Sequence, residues 1–172
     1  MNIRRVVTFF VLFLLTITLT TTRRSSAFSS ADRPSAFGEG QFTFLDLSSF
    51  PFHTETVAFS FSATVNKNGK GKGRAQFDYL RTQTQVVVKL ECVSIFTSDA
   101  VMSGKVLHSD NPNFPKGVDV IFAATDGSQV PVPFFRDRIT PIFQLPDGFD
   151  CANSGGPLTI LPLDAGDIVV QP

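Results

Sequence analysis

Between residues 56 and 65 the chain alternates without a slip: Val57, Phe59, Phe61, Ala63 and Val65 are apolar, and Thr56, Ala58, Ser60, Ser62 and Thr64 between them are small or polar. Successive side chains of an extended strand point to opposite faces, so a period of two places one face on a core and the other near water. A helix needs apolar spacings of three and four, which this segment lacks. Asn68-Gly69 follows, a pair that tolerates positive φ and marks a tight reversal. Ala75, Phe77 and Tyr79 then resume the alternation, so residues 56–80 read as a β-hairpin.

The same signature organises the rest of the chain. Phe42, Phe44 and Asp46 share one face of a first strand from residue 41, broken at 48–51. A longer strand over 83–96 sets Val86, Val88, Leu90 and Cys92 against Val87, Lys89 and Glu91. Ser98-Asp99 turns it, and residues 100–107 return beside it. Gly104 in that return marks a bulge or a close approach of another backbone. After a loop over 111–117, residues 118–124 form a nearly continuous apolar strand ended by Asp126-Gly127.

Residues 128–156 carry Pro131, Pro133, Pro141 and Pro146, with Pro157 just beyond. Each removes a backbone donor, which argues against a central strand. Phe134, Phe135, Ile142, Phe143 and Phe149 make the stretch an excursion packed on the domain and pinned at Cys151. Residues 159–163 and 167–170 finish as one bent strand or two short ones. No amphipathic helix of ten residues is present in the pattern. Short strands with turn signals every 8–12 residues specify an all-β chain, an antiparallel β-sandwich or a small β-barrel.

The N-terminus reads as an export signal. Arg4 and Arg5 precede an apolar run over 6–19, and Ser25-Ser26-Ala27 supplies the small residues of a cleavage site. A run of about 14 residues is too short to cross a bilayer, which takes about 20, and Arg23 and Arg24 block any extension. The expected organisation is a signal peptide over 1–27, a flexible mature tail over 28–37 and a single β-domain over 38–172. The mature chain is then secreted, periplasmic or extracellular, with no stable membrane anchor after cleavage.

Cleavage removes Arg4, Arg5, Arg23 and Arg24, leaving 11 basic residues against all 15 acidic ones, a net charge of −4. A mildly acidic domain lacks the basic face that nucleic acid demands. In an oxidising compartment Cys92 and Cys151, the only two cysteines, read as one disulfide. Closing a loop of about 60 residues restricts the unfolded chain by about 4 kcal/mol on the entropic account.

Chemistry-bearing residues are sparse. His53 and His108 are the only histidines, and no Gly-x-Ser-x-Gly elbow is present. His108-Ser109-Asp110 lines up three triad residue types, but neighbours on a strand point apart, and a triad is assembled in space. His108 and Asp110 could share a strand face as metal ligands, yet zinc needs a fuller set. Asp147, Gly148, Asp150 and Asn153 resemble calcium-loop chemistry without the full pattern, and serve better as turn residues. Glu91 and Asp119 are the acids within strand-like stretches that could act as paired carboxylates on a glycosidic bond. The absence of Trp and the single Tyr79 count against flat sugar platforms. Lys67, Lys70, Lys72 and Arg74 interleave with glycines at the hairpin tip, where charge keeps a turn soluble and discourages edge pairing, or touches a polyanion. Phe59, Phe61, Phe77 and Phe143 belong to the core, or line an apolar pocket in a small barrel.

Several short patterns join these strands: Gly38-Glu39-Gly40; Phe59, Phe61 and Ala63 at alternate positions; Cys92 with Ile95 three residues on; Ala100, Gly104 and Val106; Asp126-Gly127; and Asp137-Arg138-Ile139. Their order resembles that of a family of small secreted bacterial β-domains of uncharacterised function, with Lys89 standing where the pattern has valine before the cysteine. The resemblance implies a secreted β-domain and carries no activity, cofactor or partner with it. The expected function is a non-enzymatic binding or scaffolding module without a cofactor. A carrier of a small apolar ligand is the alternative, and a hydrolase acting through Asp or Glu carboxylates comes after it.

Overall fold

The computed structural model describes residues 33–46, 51–66, 68, 70–130, 135–145, 151 and 160–172. The expected signal peptide, residues 28–32 of the tail, Lys67, Gly69, Pro131, Pro133, Phe134, Pro146, Asp147, Gly148, Phe149, Asp150, Asn153 and Pro157 lie outside the described residues.

Ten strands follow in order: β1 (Ser35–Asp46), β2 (His53–Val65), β3 (Gly71–Tyr79), β4 (Thr84–Ile95), β5 (Asp99–Ser109), β6 (Asp119–Thr125), β7 (Arg138–Ile139), β8 (Phe143–Gln144), β9 (Leu161–Pro162) and β10 (Ala165–Gln171). The all-β class is as the alternation predicts. The strands form one antiparallel sheet in the order β10-β1-β2-β3-β4-β5-β6-β7-β9, with β8 also beside β6, and this ladder is not closed into a barrel.

The sheet folds over one main core. Val57, Phe59, Phe61 and Ala63 of β2 are buried, as are Ala75 and Phe77 of β3. Phe122 of β6 meets both strands, its ring 5.7 Å from Phe61 and 5.1 Å from Phe77 in edge-on contacts. Such aromatic pairs add about 1 kcal/mol each beyond the area they bury. A smaller cluster of Val101, Ile121, Ala123 and Cys151 lies apart from this core, with Cys92 and Leu145 packed against it.

Several expectations are corrected. β1 begins at Ser35, inside the stretch expected to be a flexible tail, because Ala36 is fully buried and pairs with Ala63 on one side and Val170 on the other. The β2–β3 reversal is organised by Asn66 rather than by a two-residue turn: its backbone N–H donates to Lys70 O, and its side-chain oxygen accepts from the N–H groups of Asn68 and Lys70. Cys92 does not share a face with Leu90. A bulge places Glu91 as an extra residue between the pairs Leu90–Gly104 and Cys92–Ser103, which turns Cys92 over. There it bonds Cys151, with Cα atoms 6.0 Å apart.

Gly104 sits opposite that bulge, where an added Cβ would lie 2.0 Å from Lys89 O. This is the close backbone approach its position in the sequence suggested. The proline-rich excursion contributes β7 and β8, two short strands paired with β6 on either side of Pro141, and β7 pairs in turn with β9. Between them Thr140 continues the contact, its hydroxyl accepting from Ala123 N–H and its own N–H donating to Ala123 O.

Carboxylates satisfy the free edge of β10. Asp126 accepts from Val170 N–H at 3.2 Å and Asp137 from Ile168 N–H at 2.6 Å. The other oxygen of Asp137 accepts from Gly127 N–H at 2.8 Å. Burial and the nearby charge of Asp137, with a hydrogen bond to it, hold the Asp167 carboxyl above the usual range.

Candidate binding site at the end of the sheet

Where β1 ends and β2 begins, the core-facing register turns from apolar to acidic. Phe42, Phe44 and Asp46 alternate along β1, and Glu55 precedes Val57 and Phe59 on β2. Asp46 lies directly across from His53, and Phe44 across from Glu55. Glu55 is only 3% exposed. A buried carboxylate is costly unless paired, and Arg81 supplies the partner. Its backbone N–H donates to one oxygen at 3.1 Å, and its Nε lies 3.3 Å from the other.

Arg81 also reaches His53. Its Nη2 contacts His53 Nε2, which is 3.0 Å from Asp46 Oδ2. One nitrogen cannot donate and accept together. The tautomer that accepts from Arg81 carries its proton on Nδ1, which faces Pro51 O at 3.4 Å. Asp46, His53, Arg81 and Glu55 are thus one polar cluster.

This cluster borders a depression of about 490 Å³. Phe44, Leu45 and Tyr79 form one part of its lining, and Phe114, Ile142 and Phe143 another. The Tyr79 and Phe114 rings stack at 6.3 Å. Asn111 shapes the loop that brings Phe114, its side-chain oxygen accepting from Asn113 N–H at 3.0 Å. Burial, then the charges of Glu55 and Asp46, push the Tyr79 phenol well above its usual range, so its hydroxyl stays protonated.

Of the residues singled out from the sequence, His53 belongs to this cluster and Phe143 lines the depression, and the other described ones are placed elsewhere. Phe59, Phe61 and Phe77 are packed in the core, whereas Phe143 is 42% exposed at the depression. The four therefore do not converge on one pocket. Cys92 and Cys151 form the disulfide. His108 is exposed on β5, Ser109 hydrogen-bonds Asn111, and Asp110 accepts from Gln85 N–H, so the three do not assemble. Glu91 pairs with Lys89 at 2.8 Å and Asp119 with Lys105 at 2.7 Å, all four on the sheet surface. Of the hairpin-tip cations, Lys70 and Lys72 lie at the β2–β3 reversal, and Arg74 lines a second, outer depression with Phe37, Glu39, Gln76 and Asp167. The polar cluster itself was signalled only by acids standing in the apolar register of β1 and β2.

Among the described residues no group of three or more His, Cys, Asp or Glu side chains is placed to hold a metal ion. No described helix is long and apolar enough to cross a membrane. Comparison with protein-family models, with curated proteins and with solved structures finds no match in any of the three.

Proposed function

We propose that this chain is an exported, non-enzymatic β-domain that works by binding, and that the end depression holds what it binds. One observation carries the reading: an aromatic and aliphatic wall closes around a small polar cluster in about 490 Å³. Mostly apolar concavities with a few fixed polar groups are the usual form of ligand sites. The Cys92–Cys151 bond supports an oxidising destination, since such bonds persist mainly outside the cytosol. The expected carrier role moves with the geometry, from the phenylalanine core to this outer end.

Native and denaturing mass spectrometry of the exported protein, with wild type beside Phe143→Asp, tests both parts. The reading expects a mature chain starting near Phe28, and an adduct lost on denaturation and absent from the variant. A chain retaining Met1 overturns the export part. A bare wild-type chain whose Tyr79 fluorescence no fragment-library member perturbs overturns the binding part.

A further inference from the structure

We propose that the outer face of the sheet binds an acidic oligosaccharide laid across the strands, its acid groups over β3–β5 and its hydroxyls over β1–β2. The register sets the site. Phe37, Ser62, Arg74, Lys89 and Lys105 stand opposite one another, strand to strand, from β1 to β5, and Asp119 of β6 ends the row. Paired residues share a face at about 5 Å, so three cations lie side by side, an arrangement that destabilises a sheet. They do so although residues 28–172 carry 11 basic against 15 acidic side chains. Lys89 pairs with Glu91 and Lys105 with Asp119, but all four side chains are exposed. Ion pairs so exposed are weak enough for a multivalent anion to displace. Arg74 is exposed and, among the described residues, makes no ion pair; nor does Lys72, two residues before it on the same face.

Beside these cations lies the outer depression of about 490 Å³. Its floor is low because Ser60 and Ser62 of β2 stand between Phe37 and Glu39 of β1 and Arg74 and Gln76 of β3. Phe37, 46% exposed, gives apolar surface that the C–H groups of a sugar can cover. The serine hydroxyls and the Glu39 carboxylate are groups that bond sugar hydroxyls. Glu39, with Asp167 opposite it on β10, also repels anions from this half and directs them to β3–β5. A nucleic acid or an anionic lipid surface, charged throughout, meets that repulsion. An acidic sugar is anionic at one group and hydroxylated elsewhere, so it suits both halves. Charge carries the binding, in keeping with a chain that lacks Trp.

Isothermal titration calorimetry of the exported protein with hexagalacturonate and with its methyl ester tests the proposal. The two probes share their hydroxyls and differ in charge. The acid should bind about tenfold tighter than the ester at low salt and lose that advantage at about 1 M salt. Arg74→Gln should weaken the acid about fivefold and leave the ester unchanged. Adding Lys89→Gln should weaken the acid further, and Phe37→Ser should weaken both probes. These side chains are exposed, so circular-dichroism melts of the variants should match wild type. An ester as tight as the acid, binding of neither, or full affinity for the acid in the Arg74→Gln, Lys89→Gln double variant overturns the proposal. A thymidine hexanucleotide or a phosphatidylglycerol vesicle bound as tightly as hexagalacturonate also overturns it, and assigns the row to phosphate.

Discussion

The carboxylate of Asp126 offers the sharpest test of what holds the sheet together. It is 2% exposed and accepts four hydrogen bonds. One oxygen takes Ser128 N–H at 2.9 Å and Ser128 Oγ–H at 2.5 Å. The other takes Gln129 Nε2–H at 2.8 Å and Val170 N–H at 3.2 Å. Asp126→Asn preserves the shape but replaces one acceptor with an NH₂ group. Whichever way the amide turns, two donors then face a donor.

Each bond to a charged acceptor contributes about 1.5–3 kcal/mol, and a buried N–H left unpaired costs a similar amount. Because three of the four bonds are local to the turn and only the one from Val170 crosses to another strand, the expected loss is held to about 3 kcal/mol. For a domain of this size that corresponds to about 10 °C in melting temperature. Burial opposes ionisation of Asp126, but the bonds from Ser128, Val170 and Gln129 outweigh it and hold the carboxyl below its usual range.

The sign follows: stabilisation is present above the unfolded value of about 3.9 and is lost as pH falls through the lower folded value. The gap between wild type and Asp126→Asn should therefore be widest near neutrality and close in acid. Circular-dichroism melts at several pH values measure it, and hydrogen exchange at Val170 reports the edge directly. A melting shift under about 2 °C at neutral pH, with Val170 protection intact, would show that β10 is not held by this carboxylate.

Four further outcomes are expected. Replacing Cys92 and Cys151 with alanine together should cost about 4 kcal/mol by denaturant titration, since the bond spans 59 residues of sequence; no change would show that it does not constrain the unfolded chain. Gly104→Ala drives a Cβ into Lys89 O at 2.0 Å and Leu90 Cα at 2.8 Å, and should lower folded yield sharply. Gly117→Ala meets open space but keeps φ at +91°, so it should cost only about 1 kcal/mol. Phe122→Ala removes the fully buried ring against Phe61 and Phe77 and should cost about 3–5 kcal/mol in the same titration.

What was legible in the sequence was local. The β2–β3 pair follows from alternation within one hairpin, and of the residues the pattern names all but the half-buried Val65 are buried. Long-range pairing was not legible. Ser35–Phe37 looks like a tail because nothing near it in sequence explains its pairing, whereas one partner strand lies at 169–171. The face of Cys92 was misassigned because period two assumes an unbroken ladder, and a single extra residue inverts everything after it. β7 and β8 are two residues each, too short for any period to register.

The end site escaped for the same physical reason at greater distance. Its lining comes from five separated stretches: 44–46, Glu55, 79–84, 111–114 and 141–143. Within any one of them the residues look ordinary. Only parity gave a sign, because Asp46 and Glu55 occupy positions that their strands otherwise fill with Phe42 and Val57. A carboxylate in an apolar register must find a cation or lose its charge. Which cation it finds depends on how the chain turns after β3, where Gln83 takes φ +54° and the turn returns Arg81 to Glu55. The sequence therefore announces that a buried acid needs a partner, and the turn selects it. The same turn carries Arg81 onto His53, itself 3.0 Å from Asp46, so one reversal gathers the whole polar cluster beside the end depression.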